Sequence, residues 1–214
     1  MWWEYLVCAA IGYSIGAIPA GLVVGRVAKG IDIRDYGSGK LGFTNALRTL
    51  GVRWGAVVLL ADILKGVVPV VIALVISDEP WVVAVTGLAA AIGHDWPVYA
   101  GFHGGRGVAT SYGAALAMSP LPALALLPVG IGVVATTRIM SLLSVGLAPV
   151  LALVFVVLAA VGYHPWAYAV YAVIAAAQVV VLHWENVRRL LAGTEPRIGE
   201  GGARRGEASE GTTT

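Results

Sequence analysis

Residues 108–138, VATSYGAALAMSPLPALALLPVGIGVVATTR, decide the fold of this chain. The stretch from Val108 to Thr137 is too long for one bilayer-crossing helix, which needs about 20 apolar residues. Read as two segments broken at Ser119-Pro120 and Pro122, each half is lean for a hydrocarbon core. Charge decides between the two. A single crossing would put Arg106 and Arg138 on opposite sides and leave the basic tail outside, against the rule that Lys and Arg stay in the cytoplasm. With two crossings, every Lys and Arg except Lys65 falls on one side. The opposite turns, 77–80, 119–122 and 162–165, then carry neither.

The remaining spans follow outward from that stretch: Tyr5 to Val27, Trp54 to Ile76, Trp81 to His94, Leu142 to Gly162 and Trp166 to Leu182. The expectation is an all-α polytopic integral membrane protein with seven transmembrane helices, the N-terminus outside and the C-terminus cytoplasmic. Composition agrees, with 58% hydrophobic and 12% charged residues and a mean hydropathy of +0.83, far from soluble domains in which about a quarter of residues are charged. Residues 1–198 form one membrane domain. Residues 199–214, Gly, Glu, Arg and Thr without apolar periodicity, read as a disordered cytoplasmic tail. No cleavable signal is evident, because MWWEYLVCAAIGYS lacks a basic start and runs into a full span. Cys8 is the single cysteine and reads as packing. Gly12 and Gly16, and Gly21 and Gly25, are four apart and favour close helix approach, with Pro19 as the kink. A net charge of +2 gives no reason to expect nucleic acid.

Two polar islands stand out. The first, residues 31–51, is IDIRDYGSGKLGFTNALRTLG. The amides of Gly37, Ser38 and Gly39 can form an anion nest, Lys40 and Arg48 add charge, and Thr44-Asn45 can open a short helix toward the same spot. An ordinary loop with turn residues is the plain alternative. It is not a P-loop, since Arg34 stands where Gly is needed and Leu41 where a hydroxyl is needed. The second island, residues 93–110, is GHDWPVYAGFHGGRGVAT, where Gly104, Gly105 and Gly107 surround Arg106. Between them, Asp62 and Lys65 share a helical face inside the second span, as a site, a structural ion pair or a snorkelling lysine. His94 and His103 show no recognised zinc spacing, so no metal is expected. Topology brings both islands, Ser141, His183, Asn186, Arg188 and Arg189 to the cytoplasmic face. One site there would take a soluble phosphorylated molecule and an apolar partner from the bilayer. Arg188 and Arg189 read better as anchors to anionic lipid headgroups.

Three motifs in order, DIRDYGSGKLGFTNALRTLG, DILKG at 62–66 and GHDWPVYAGFHGGRGVAT, together with His-x-x-Asn ahead of RLLAGTE, carry a resemblance. The chain resembles the bacterial membrane glycerol-3-phosphate acyltransferases that use acyl phosphate, the PlsY type, from Gly16 to Gly193. The resemblance implies transfer of a fatty acyl group from acyl phosphate to the 1-hydroxyl of glycerol 3-phosphate, giving lysophosphatidic acid. It also implies a bacterial plasma-membrane location, an upstream acyl-phosphate-producing enzyme as partner, and no cofactor. Ser38, Arg48, Arg106, Ser141, His183 and Asn186 match the family's functional positions. Gly37, Ser38, Gly39, Lys40, Asn45, Arg48, Gly104, Gly105, Arg106 and Gly107 are the expected phosphate ligands, with Asp62, Lys65 and His94 supporting them. His183 is assigned positioning, because the family is thought to use the substrate's own phosphate as base. Lys40 stands where the family usually has Asn, Phe43 where it has Ala, Ala17 where it has Ser and Arg106 where it has Lys. Other readings are a small-anion transporter and a homologue that binds phosphorylated ligand without turnover. The His-x-x-x-x-Asp signature of another acyltransferase class is absent, since Tyr99 and Ala169 occupy the Asp positions.

Overall fold

The computed structural model describes residues 1–205, and among them are ten α-helices, two short 3-10 turns and no strand. The first apolar stretch breaks into α1 (Trp2–Gly16) and α2 (Ala20–Lys29). Pro19 stands at the break as the N-cap of α2, where its missing N–H is harmless. Next come the first island with α3 (Phe43–Leu50), α4 (Val52–Ile76) and α5 (Pro80–Asp95). After the second island, α6 (Val108–Met118) and α7 (Pro120–Thr137) are separated at Ser119, where the Pro120 ring ends the first helix and starts the second. The bundle closes with α8 (Met140–Ala160), α9 (Trp166–Leu182) and α10 (Trp184–Leu191).

Four stretches are long and apolar enough to cross a membrane: residues 2–29 taken across the bend, α4, α7 and α8. A fifth is added if α9 and α10, bent by 63°, count as one. Helices α5, α6 and α9 are shorter, with 16, 11 and 17 residues.

Small residues set the packing. A Cβ at Gly16 would lie 2.1 Å from the Ala90 carbonyl oxygen and one at Gly12 2.5 Å from that of Thr86, so α1 and α5 touch backbone to backbone. The same contact joins α4 to α6, where Cβ atoms at Gly66 and Gly113 would lie 2.0 and 2.1 Å from the carbonyl oxygens of Thr110 and Ile63. Gly21 and Gly25 seat α2 on Leu41 and Ile33 of the first island. A methyl forced into such a contact costs about 1–3 kcal/mol. Lipid offers apolar side chains no gain over protein, so close approach of backbones supplies much of the association. Around these contacts an apolar core of alanines, Val82, Val83, Phe155 and Tyr171 fills the bundle.

Of the tail expected to be disordered, residues 206–214 lie outside the described residues. Residues 199–205 run back across the first island. Gly37 N–H donates to the Ala203 carbonyl at 3.0 Å, Arg205 N–H donates to the Asp35 carbonyl at 2.8 Å, and Tyr36 forms an antiparallel bridge with Arg204.

Candidate active site

One cavity of about 550 Å³ runs from the two polar islands into the space among α6, α7, α8 and α9. Its polar end is lined by Ser38, Lys40, Asn45, Asp62, His94, Gly105, Arg106, Gly107 and His183. Leu126, Ile131, Leu143, Leu147 and Leu151 line the apolar end. Gly37, Gly39, Arg48, Lys65, Gly104, Ser141 and Asn186 are not on the cavity lining, so the expected set divides into residues on the wall and residues off it.

The first island is held by its own side chains. Asp32 accepts from the Arg34 amide at 3.0 Å and pairs with the Arg34 guanidinium at 2.6 Å, and this hydrogen bonding holds the carboxyl below its usual pKa. Arg34 also donates to the Ala100 carbonyl, tying the first island to the second. Asn45, 1% exposed, spends both amide protons on the carbonyls of Ile33 and Lys40 at 2.9 Å, while its Oδ1 accepts from the Ser38 amide at 3.0 Å. Asn45, expected among the phosphate ligands, thus spends both amide protons within the loop and clamps it. The expected nest is likewise occupied. Gly37 N–H goes to Ala203, Ser38 N–H to Asn45 and Gly39 N–H to the Tyr36 carbonyl. The polar groups this island still offers an anion are the Ser38 hydroxyl and the cations Lys40 and Arg48.

The second island differs. Gly105 N–H donates to the His94 carbonyl at 3.1 Å and the Gly104 carbonyl accepts from Leu41 at 3.3 Å, whereas the amides of Arg106 and Gly107 have no partner among the described residues. They precede the first turn of α6, where the amides of Val108, Ala109 and Thr110 likewise have no partner among the described residues, and such a terminus favours an anion. Gly104 and Gly105 are required by packing, since Cβ atoms there would fall 2.1 Å from the His94 carbonyl oxygen and 2.0 Å from its Nε2. Gly107 has φ +67 beside the Asp95 carboxylate.

Two guanidiniums are short of partners. Arg106 and Arg48 each have a buried Nε without a hydrogen bond among the described residues. Among the described residues, Arg48 Nη2 donates to the Pro196 carbonyl, at 3.1 Å. Burial lowers the pKa of both, and the charge of Arg189 adds to the effect on Arg106. A buried guanidinium N–H without an acceptor is costly, so the arrangement suits an incoming anion.

The tail supplies a hub that the sequence reading noted only within a motif. Glu195 accepts from Asn186 at 2.6 Å and from Arg189 at 2.8 Å. Burial raises its pKa, but these bonds outweigh it and hold the carboxyl below its usual value. Ser141 Oγ faces the same carboxylate without a well-formed hydrogen bond. Arg189 is thus an ion-pair partner instead of a lipid anchor, while Arg188 stacks on Trp184, its carbon Cζ 5.6 Å from the ring centre. His183, at the break between α9 and α10, places its Nδ1 2.8 Å from the Val179 carbonyl. A carbonyl only accepts, so Nδ1 carries the proton and Nε2 keeps a lone pair. Burial pushes its pKa down to about 4.

Behind the wall, the Lys65 ammonium is enclosed by three acceptors. It donates to the Ile18 carbonyl at 2.9 Å and to His94 Nδ1 at 3.0 Å, and lies 2.8 Å from Asp62 Oδ1. The Ile18 carbonyl is available because the helix breaks at Pro19. Asp62 and Lys65 are 1% and 6% exposed, so the pair is a brace joining α1, α4 and α5.

The model of the glycerol-3-phosphate acyltransferase family matches residues 6–193. The chain belongs to the glycerol-3-phosphate acyltransferase family. A glycerol-3-phosphate acyltransferase of Geobacter sulfurreducens is 48% identical over 194 residues, covering 90% of this chain and 97% of the relative. One from Rubrobacter xylanophilus is 40% identical, covering 88% and 92%. The crystal structure of PlsY (YgiH), an integral membrane glycerol 3-phosphate acyltransferase, in its glycerol 3-phosphate form, superposes with a TM-score of 0.82 at 38% identity over 91% of this chain and 96% of that one. Its lysophosphatidic acid form gives 0.80 at 37% identity, covering 90% and 94%. Family membership and the apolar helices make this an integral membrane protein. The family match ends at Gly193, so Glu195 and the segment that returns over the first island lie beyond it.

Proposed function

We propose that this chain transfers a fatty acyl group from acyl phosphate to the 1-hydroxyl of glycerol 3-phosphate, forming the ester of lysophosphatidic acid and releasing inorganic phosphate. The observation that carries the reading is one cavity whose polar end gathers Arg106, Lys40 and free amides with Arg48 behind, and whose other end is apolar. A phosphorylated head with a fatty chain fits such a shape. The family's acceptor and product, as given for the solved relative, are of that class.

In this reading Arg48, Arg106, Lys40 and Ser38 hold the two phosphates. Free amides at Arg106 and Gly107 stabilise charge growing on the phosphoryl leaving group. Acyl phosphate is an activated mixed anhydride, so placement and charge stabilisation provide most of the rate and no acyl-enzyme is needed. Neutral His183 accepts a hydrogen bond from the acceptor hydroxyl through Nε2 and aligns it, and the substrate's phosphate takes the proton. Asn186 and Ser141, held against Glu195, set the position of His183 and Arg48.

The chain crosses the plasma membrane of a bacterium seven times, its short helices α5, α6 and α9 included, with the N-terminus outside and the islands cytoplasmic. The distribution of Lys and Arg supports this orientation. Acyl phosphate arrives from an upstream enzyme that makes it, and its chain enters from the bilayer among α6 to α9. The test is acyl transfer by purified protein offered glycerol 3-phosphate with palmitoyl phosphate, palmitoyl-CoA or palmitoyl carrier protein. Lysophosphatidic acid from palmitoyl phosphate alone is expected. No product from folded protein with any donor, or product from the thioesters, overturns the proposal.

A further inference from the structure

His94 is one of two imidazoles on the cavity wall, and its neighbours determine where its proton sits. Lys65 Nζ lies 3.0 Å from His94 Nδ1, and an ammonium has protons but no lone pair. Nδ1 is therefore an acceptor: the Asp62 carboxylate, 3.6 Å away, is beyond hydrogen-bond reach of it, and an imidazolium would set two donors against each other. The neutral ring then carries its proton on Nε2. Asp62 Oδ1, 2.8 Å from Lys65 Nζ, holds the ammonium facing the ring, and the Ile18 carbonyl takes a further proton.

Nε2 occupies the space a side chain at 105 would fill, 2.0 Å from the built Cβ position, directly under the Gly104-Gly105-Arg106-Gly107 turn. That turn has the free amides. His94 and His183, both on the cavity wall, hold opposite tautomers: Nε2 carries a lone pair on His183 and an N–H on His94.

We propose that His94 is a substrate-binding residue whose Nε2–H donates to a phosphoryl oxygen held at the second glycine turn, with Lys65 and Asp62 fixing the tautomer that makes this possible. The inference deepens the acyltransferase reading and rests on it for the identity of the phosphate. Glycerol 3-phosphate and acyl phosphate share the chemistry, and the experiment separates them. It also explains why a buried Lys–Asp pair adjoins the site: a histidine without it would be free to present the lone pair, which repels a phosphate oxygen.

Two substitutions separate donation from packing. His94→Asn places an amide oxygen near the Nδ1 position, keeps an acceptor for Lys65 and deletes the Nε2 donor. His94→Gln reaches the Nε2 position with an amide N–H. Purified His94→Asn is expected to melt near wild type and to raise the KM of one phosphorylated substrate roughly tenfold to a hundredfold, the span for a hydrogen bond to a charged group. The KM that moves identifies the phosphate. His94→Gln recovers a substantial part of the loss. Thermal stabilisation by inorganic phosphate is measured in parallel. It should weaken in His94→Asn and return in His94→Gln even where the wild type makes no lysophosphatidic acid, so failure of the activity reading remains distinguishable. Nitrogen-15 resonances of the labelled wild-type ring report the tautomer directly. A proton on Nδ1, wild-type phosphate binding by His94→Asn, or equal impairment in both variants would overturn the proposal.

Discussion

Lys65→Met tests the brace behind the cavity. The substitution keeps the length of the side chain and removes its charge, leaving the Asp62 carboxylate, 1% exposed, without the ammonium 2.8 Å away. It also frees the Ile18 carbonyl and His94 Nδ1. Breaking one partner of a buried pair costs about 3–5 kcal/mol, mostly from stranding the other charge. For a chain of this size that corresponds to a fall in melting temperature on the order of 10 °C. The double variant Asp62→Leu/Lys65→Met removes both charges and should recover most of the lost stability, since apolar replacement of a whole buried pair is often neutral. Melting in detergent of the two singles and the double closes a double-mutant cycle, with a coupling above about 2 kcal/mol expected. Lys65→Met should also lose activity beyond its loss of folded protein, because His94 no longer has a fixed tautomer. A single variant that melts like wild type, or effects that simply add, would refute the brace.

Arg106→Ala should abolish acyl transfer, by about a hundredfold or more, while leaving the helical fold intact by circular dichroism, and Arg106→Lys should keep part of the rate because charge persists without the planar fork. Wild-type turnover in Arg106→Ala would sink the phosphate clamp. Truncation after Glu195 removes the Pro196 carbonyl from Arg48 and Ile198 from the cavity wall. The KM for glycerol 3-phosphate should then fall roughly two- to tenfold, since the anion no longer competes with a neutral acceptor, and an unchanged or raised KM would contradict this. His183 has its pKa depressed by burial from 6.5 to about 4. The unfolded chain takes up this proton first as pH falls, so its contribution is complete above pH 6.5 and is lost progressively down to pH 4, to a total of about 3 kcal/mol. Melting curves of wild type and His183→Asn between pH 7.5 and 4.5 check the sign, and the variant should show a flatter decline.

Much of the helical layout was legible because its causes are local. Pro120 ends one helix and starts another wherever it sits, Pro19 breaks the first stretch, and apolar runs bounded by polar islands leave little choice of secondary structure. The gathering of Ser38, Arg106 and His183 on one cavity was also readable, since charge placement sorts loops to one side of a membrane. The hydrogen bonding of the first glycine loop is not legible in the sequence. Its composition suits an anion nest, yet Asn45 and Ala203 take its amides, and these partners lie 7 and 166 residues away from Ser38 and Gly37 in the chain. Glycine reports that a backbone can bend. It does not report what the freed N–H groups meet.

The sequence by itself therefore determined that the chain is an apolar helical membrane protein with two polar islands, because hydropathy, proline and charge act through nearest neighbours and through the bilayer. Only the tertiary structure decided which island's amides are taken up within the chain, that Glu195 gathers Asn186 and Arg189, and that Lys65 sits against Nδ1 of His94. Those outcomes depend on directions and distances of a few ångströms between segments far apart in sequence. A hydrogen bond is made or lost over less than one ångström, and no local pattern of residues carries that information.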